Sequence, residues 1–526
     1  MNSIPDLALR PRWLARAERL KPELRHSMVA PVGPVRMLAD PAAFQGWRAS
    51  ASDAAATQAE YVLSPGQAVI LDFGQHLVGR LLLHAKTQHG VADSPLRLRF
   101  LFGEVPAEIA EEDVALVVNQ SLSWNWRQEE NVTLDSLPAE LRLPRRYAFR
   151  YVRIEVVDRA PNARGARLSQ IRCETESAVP VQLPPSPAGL PPDLRKIDEV
   201  SIRTLRDCMQ TVFEDGPKRD RRLWLGDLRL QALANAGTYD LLPLVERCLC
   251  LFAGLARDDG TVMACLYEKP EPVAGADFIL DYAMLFAPTL MDYLEAGGDL
   301  ELAREFWPLT LRQLHRPLRC VDEHGLFQVD ETCWNFIDWK EGLDKQVPLH
   351  GALLYCLART VALAERLGYR AEVANLQSWR DRLTSAARAA FLNPADGLLR
   401  SGQTRQLSWA SQAWGTLGGI LTATEAANAF RRLPELPEAV RPAGPYLYHY
   451  VLEAMFSSGL DTEAVALLRY YWGGMVRAGA DTFWEIYDPA QPRLSPYRNH
   501  LINSYCHAWS CTPAYFFRRY AKAFTG

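Results

Sequence analysis

The chain has 526 residues, 48% of them hydrophobic and 23% charged, with a formal charge of −4. That length accommodates two or three domains, and the composition is that of a folded globular protein, not a disordered one. The near balance of charge and the lack of a long basic run argue against a nucleic-acid binder.

The segment 6–26 is rich in Arg, Glu and Lys and reads as a short helical start without the apolar stretch of a signal peptide. No later window is expected to be long and apolar enough to span a membrane. Next comes a β region. Leu96–Phe100 alternates with period two, as does most of Phe149–Val156. Val69–Phe73 and Leu81–Leu83 read as more buried strands, with Gly74 and Gly79 supplying turns between them. Several short alternating strands suggest an antiparallel β-sandwich with outward arginines on a solvated face.

Val179–Pro192 is dense in proline and cannot sustain a helix or a central strand. It divides the chain into an accessory domain, 1–185, and a second domain, 186–526. Beyond it the pattern is helical: 193–212, 228–256, 277–295, 300–321, 350–367, 371–391, 462–476 and 504–520, with shorter segments between. About a dozen helices, mainly paired, fit an (α/α)6 toroid with one set of loops lining a pocket. No short fixed period favours a solenoid.

The ten cysteines show no disulfide framework and are expected to be free thiols in a reducing cytoplasm. Cys248-Leu249-Cys250 has no second pair at zinc spacing, so neither a metal nor a cofactor is expected. Fourteen tryptophans and nineteen tyrosines suit sugar faces, although most rings of this kind serve the core.

The densest chemistry lies in Glu214–Asp227. Pro217 suits a first helical turn, which would place Asp215 at its cap. Asp220 and Asp227, seven residues apart, would then share a helix face with Trp224 between them. Gly226 allows close approach of another group. Converging carboxylates raise the proton affinity of at least one of them, whereas inward-pointing cations among Lys218, Arg219, Arg221 and Arg222 lower it. Glycosidic cleavage needs a second carboxylate across the sugar, and Glu485, beside Trp484, is the best candidate. Trp334–Glu341 places two tryptophans around acids, including Asp338-Trp339, and His507-Ala508-Trp509 follows a polar run.

These motifs together resemble glycoside hydrolase family 78, the α-L-rhamnosidases. Asp215-Gly216-Pro217-x-Arg219-Asp220-Arg221-x-x-Trp224-x-Gly226-Asp227 is similar to the family's Asp-Cys-Pro-x-Arg-Glu-Arg and Gly-Trp-x-Gly-Asp pattern. Ala480–Glu485 resembles its Gly-Ala-Thr-x-x-Trp-Glu segment, Asp338-Trp339 its Gly-Asp-Trp, and His507–Ser510 its His-Gly/Ala-Trp motif. The segments 71–79 and 149–154 look like its accessory β-domain. The resemblance covers nearly the whole chain. It implies an (α/α)6-barrel behind a β-sandwich, cleaving terminal α-L-rhamnose with inversion, with Asp220 as general acid and Glu485 as general base. Asp215, Arg219, Trp224, Asp227, Asp338, Trp339, Trp484, His507 and Trp509 would bind the sugar.

Three departures stand out. Asp220 is one methylene shorter than the family's Glu, Gly216 replaces Cys, and the chain stops soon after His507, where the family commonly adds a C-terminal β-domain. The surplus arginines suggest a variant acting on rhamnose linked to a uronic acid. The shortened acid suggests a sugar-binding protein without turnover. The expected partner is a carbohydrate, not a nucleic acid or a membrane.

Overall fold

The computed structural model describes residues 7–52, 60–88, 95–111, 127–159 and 165–525. Residue 6 of the N-terminal polar segment and the outermost residues of both expected domains lie outside these. Helix α1 (Arg10–Arg19) comes first and buries Trp13. Ten strands follow: β1 (Arg25–Val29), β2 (Gly33–Ala39), β3 (Trp47–Ala51), β4 (Glu60–Leu63), β5 (Ala68–Thr87), β6 (Leu96–Gly103), β7 (Glu129–Leu134), β8 (Ala139–Arg142), β9 (Tyr147–Arg159) and β10 (Ala166–Ser177). They pair in one antiparallel network whose spine runs β1-β10-β5-β9-β6-β7. Phe73, Phe100, Phe102 and Phe149 form the centre of its apolar core. A short helix, α2 (Pro106–Ala110), follows β6.

The turns expected at Gly74 and Gly79 do not form, because β5 runs through both. Instead its register against β9 slips between Asp72 and Leu77. Such a bulge re-aims a side chain, and His76, inside it, is fully buried against Asp207 of the helical domain. At Gly79 the glycine serves close approach, since a Cβ there would stand 2.2 Å from the Glu174 carbonyl oxygen of β10.

The helical domain contains α3 (Pro192–Cys208), α4 (Leu225–Asn235), α5 (Leu242–Gly254), α6 (Leu280–Met284), α7 (Phe286–Glu295), α8 (Leu300–Arg319), α9 (Gln346–Leu367), α10 (Arg370–Phe391), α11 (Trp409–Leu417), α12 (Ala423–Arg432), α13 (Pro445–Ser457), α14 (Asp461–Arg477), α15 (Pro513–Arg519) and α16 (Ala521–Phe524). A small sheet of β11 (Leu223–Trp224), β12 (Cys265–Tyr267) and β13 (Val273–Ala274) lies among the loops. Helix α4 packs on α7, α7 on α9, α9 on α11 and α11 on α13, while α13 and α4 both touch the turn Ala508–Ser510. Helices α8, α10, α12 and α14 each pack on the helix that precedes them.

Three expected helices are shorter than their periodicity suggests. The run 228–256 breaks into α4 and α5 at Gly237 and Asp240, both of which have positive φ. The run 277–295 turns helical only at Leu280. In 504–520 the backbone up to Thr512 is drawn into loop contacts: the Ser504 amide bonds Glu485 and the Ala508 amide bonds the Asp215 carbonyl. Against expectation, α9 is long and apolar enough by length and composition to cross a membrane. However, 78% of its apolar window is buried inside the protein, as in a core helix.

Candidate active site

The stretch Asp215–Arg222 forms a closed loop, not the expected helix. The Asp215 carboxylate accepts the Arg222 amide at 3.1 Å, and the Asp215 amide donates to the Arg222 carbonyl at 3.0 Å. Arg221 takes a left-handed φ of 55° to complete the turn. Asp215 is therefore a loop clasp, not a helix cap. Asp220 and Asp227 do not share a helix face, since only Asp227 is helical, in the first turn of α4. They converge all the same, because Asp215, Asp220 and Asp227 line one cavity of about 370 Å³. Its size suits a single sugar ring within a pocket of ordinary ligand-site dimensions. Gly226 lets α4 meet Tyr282 of α6: a Cβ there would stand 2.4 Å from the phenol ring.

Glu485 lines the same cavity and is 1% exposed. Its Oε2 accepts the Ser504 amide at 2.9 Å, and its Oε1 accepts the Tyr497 hydroxyl. One guanidinium joins the two carboxylates. Arg219 donates through one nitrogen to Asp220 at 2.9 Å and through the other to Glu485 at 3.4 Å and to the Tyr497 hydroxyl at 3.0 Å.

Aromatic rings complete the wall. Trp224, Trp339, Trp509 and His507 line the cavity. His507 packs 4.2 Å from Trp509, whose indole nitrogen bonds the Glu485 carbonyl at 3.0 Å. Sequence reasoning assigned no role to Tyr282, Phe336, Tyr497, Ile279 or Asp277, which also line the cavity. Tyr282 and Tyr497 lie in segments without a motif. Trp334 and Arg222 also line it, and both sit inside motifs that the sequence had marked.

Two expected sugar ligands are elsewhere. The carboxylate of Asp338 accepts the amides of Ala443 at 2.7 Å and Gly444 at 3.1 Å, holding the entry to α13. The reason is a left-handed Ile337, φ 54°, fixed by Asp281 accepting the amides of Phe336 and Ile337. Phe336 and Trp339 thus line the cavity while Asp338 binds the chain behind it. Trp484 is also absent from the cavity wall. It is 2% exposed and stacks at 4.1 Å on Phe44 of the sheet domain.

Burial dominates the electrostatics. It raises the carboxyl of Asp215 well above the usual range, helped by Asp220 and Asp227. It does the same to Asp227, helped by Glu485 and Asp220 beyond what its bond from Tyr282 offsets. Glu485 is also raised by burial, with Arg219 and two hydrogen bonds opposing. His507 is pushed down to about 3 by burial and by Arg219, so its imidazole is neutral at ordinary pH. Asp227 Oδ1, His507 Nδ1 and Trp339 Nε1 have no hydrogen-bond partner within the protein. Buried polar atoms are rarely left so, and all three belong to residues lining this cavity.

One His/Cys/Asp cluster among the described residues, His76, Asp207 and Cys506, is close enough to hold a metal. Its imidazole is already engaged at both nitrogens, by Asp207 at 2.8 Å and Glu104 at 3.0 Å.

Several carboxyls and indoles gathered around one cavity of a helical domain are the equipment of a glycoside hydrolase. The sequence profile of the glycosyl hydrolase family 78 alpha-rhamnosidase N-terminal domain matches residues 31–175. That of the bacterial alpha-L-rhamnosidase 6 hairpin glycosidase domain matches residues 191–521. The chain therefore belongs to glycoside hydrolase family 78, the α-L-rhamnosidases.

A solved rhamnosidase from Klebsiella oxytoca with rhamnose bound is 43% identical, with a TM-score of 0.93 over 97% of this chain and 99% of that one. The family 78 rhamnosidase of Bacillus sp. GL1 shares the fold at 21% identity and a TM-score of 0.73, over 90% of this chain and 49% of its own. The Streptomyces avermitilis α-L-rhamnosidase complexed with L-rhamnose does so at 18% and 0.65, over 95% and 44%. The present chain thus spans about half the length of those two. No curated protein matches it.

Proposed function

We propose that this enzyme is an exo-acting, inverting α-L-rhamnosidase that hydrolyses terminal α-L-rhamnose from glycosides or oligosaccharides. Asp220 protonates the glycosidic oxygen as the bond to C1 breaks. Glu485 takes a proton from a water that attacks C1 from the opposite face. The observation that carries this reading is the Arg219 bridge, with 2.9 Å to Asp220 and 3.4 Å to Glu485. A guanidinium bonded to both carboxyls keeps them within reach of one substrate, a spacing compatible with the about 6.5–9.5 Å at which a water fits between the carboxyls of an inverting site. The unpartnered atoms of Asp227, His507 and Trp339 are ready for sugar hydroxyls. A ligand lacking those hydroxyls leaves them unpaired at a cost of about 1–3 kcal/mol each. The Klebsiella oxytoca relative holds rhamnose, which supports rhamnose as the sugar here.

The architecture in this reading is an (α/α)6-barrel, with α4, α7, α9, α11 and α13 as inner helices and the 508–519 segment closing the ring. The packing order of those helices supports it. The strands fold into a β-sandwich, and the domain boundary is the proline-rich linker, giving 1–185 and 186–526. The cytoplasm is the proposed location, on the strength of ten cysteines without a framework spacing.

A second reading, cleavage of rhamnose from an acidic sugar, is favoured by Arg222. Arg222 lines the cavity, its Nε has no partner, and its guanidinium lies 4.7 Å from the ring centre of Tyr267, which is 37% exposed.

The test is a panel of aryl glycosides and rhamnosyl-uronates, with the product anomer followed by NMR immediately after cleavage. Release of β-rhamnose from an α-linkage is expected. Initial α-rhamnose means retention, and no rhamnose from any substrate overturns both readings.

A further inference from the structure

We propose that the sheet-rich domain is a working part of the active site, and that its Glu104 and Glu108, with Lys218, are positioning residues for Glu485. The inference rests on Glu485 being the base. Glu104 follows β6, and Glu108 lies on α2. Both reach across to Lys218, which lies two residues before Asp220. The Lys218 ammonium, 1% exposed at its side chain, donates to Glu108 at 2.6 Å and stands 3.4 Å from Glu104.

The same groups grip one short strip of backbone. Lys218 donates to the Asn503 carbonyl, and Glu104 accepts the Tyr505 amide at 2.7 Å. Between these two anchors lies Ser504. Its amide donates to Glu485 Oε2 at 2.9 Å, and its carbonyl accepts the Glu485 amide at 2.9 Å. The strip is thus held at one end by Lys218, itself paired with Glu108 of the sheet domain, and at the other by Glu104 of that domain, while Ser504 between them fixes the base.

Further contacts stiffen the grip. The β5 bulge delivers His76, whose ring bridges Glu104 at 3.0 Å and Asp207 of α3 at 2.8 Å. Gln45 donates to the Tyr505 hydroxyl. Buried ion pairs contribute little net stability, because desolvation offsets their attraction. Apolar contacts would serve as well if docking two domains were all that was required. Directional charge networks do fix geometry, and a base displaced by about 1 Å can cost 100-fold in rate.

Two variants test this, each compared with Glu485→Gln on the same aryl rhamnoside. Glu104→Gln removes the charge that holds Tyr505. The double variant Glu108→Gln/Lys218→Met removes one buried charge of each sign together, a replacement that folded proteins commonly tolerate. Each is expected to lose kcat by about tenfold or more, with KM and the inhibition constant of free rhamnose within about twofold, and with native circular dichroism. Azide, which attacks without a base, is expected to restore turnover in part. A folded double variant with wild-type kcat overturns the inference while leaving the base assignment intact. Wild-type turnover in Glu485→Gln overturns the base assignment itself.

Discussion

Arg219 bonds Asp220 at 2.9 Å and Glu485 at 3.4 Å, so a single planar cation ties together the two carboxyls assigned to acid and base. The guanidinium fork can span two acceptors in fixed geometry, whereas an ammonium is a point charge. Arg219→Lys is therefore expected to keep the fold and lower kcat by about tenfold or more, because a point charge loses the planar fork that fixes the geometry of both carboxyls. Steady-state kinetics on an aryl rhamnoside check it, and wild-type kcat in the lysine variant rules the bridge out as a catalytic element.

Asp220→Asn and Glu485→Gln are each expected to reduce turnover at least about 100-fold, the order expected for losing a general acid or base. An aryl rhamnoside with a good leaving group should rescue Asp220→Asn, since a stable phenolate departs without a proton. It should not rescue Glu485→Gln. If both variants respond alike to the leaving group, the two roles are not divided as proposed.

The parts of this site that were legible in the sequence are those that contiguous motifs carry. Asp215, Asp220, Asp227, Glu485 and His507 all line the cavity, because residues close in sequence stay close in space whatever local structure they take. Direction within a loop was not legible. Asp338 and Trp339 are adjacent, and which of them faces inward is decided by a left-handed Ile337 and by Asp281, 56 residues away from that residue's amide. Trp484 was misread for a similar reason: its partner, Phe44, comes from the other domain. Pro217 suggested a helix because local chemistry fits one, but the Asp215–Arg222 hydrogen bonds close a loop instead. Period-two alternation showed the strands, yet could not show that β5 bulges at His76 rather than turning.

Activity should fall on the acid side as Glu485 takes up a proton. Its carboxyl lies above the ordinary 4.5, because burial outweighs Arg219 and the bonds from Ser504 and Tyr497. The acid limb of kcat/KM is thus expected above the usual glutamate range. Neutralising the cation in Arg219→Gln should move that limb further up, since Arg219 holds the carboxylate form. A pH–rate profile in which the residual activity of this variant keeps the wild-type limb would detach the limb from Glu485.

Stability should carry the signature of His507. Its folded pKa of about 3 lies below the ordinary 6.5, so the unfolded chain binds more protons between those values. The stabilisation is present above about 6.5 and is lost as pH falls toward about 3. Asp215 and Asp227 act in the opposite sense, because burial raises both. The difference between His507→Asn and wild type therefore isolates the histidine. The Tm of the variant relative to wild type is expected to rise steadily from pH 7 to pH 4. A difference independent of pH contradicts a buried neutral imidazole.

Arg222 offers the sharpest test of the leaving group. Its amide closes the Asp215 loop, so replacing only the side chain leaves that clasp in place. Its guanidinium lies over Tyr267, which is 37% exposed, so water screens any pair it forms. A partly exposed ion pair is worth about 1 kcal/mol or less, a factor of about five in affinity. Arg222→Gln is accordingly expected to lower kcat/KM about fivefold on a rhamnosyl-uronate and to leave a neutral aryl rhamnoside within about twofold. Equal losses on both substrates would mean that Arg222 shapes the loop and does not recognise the acid.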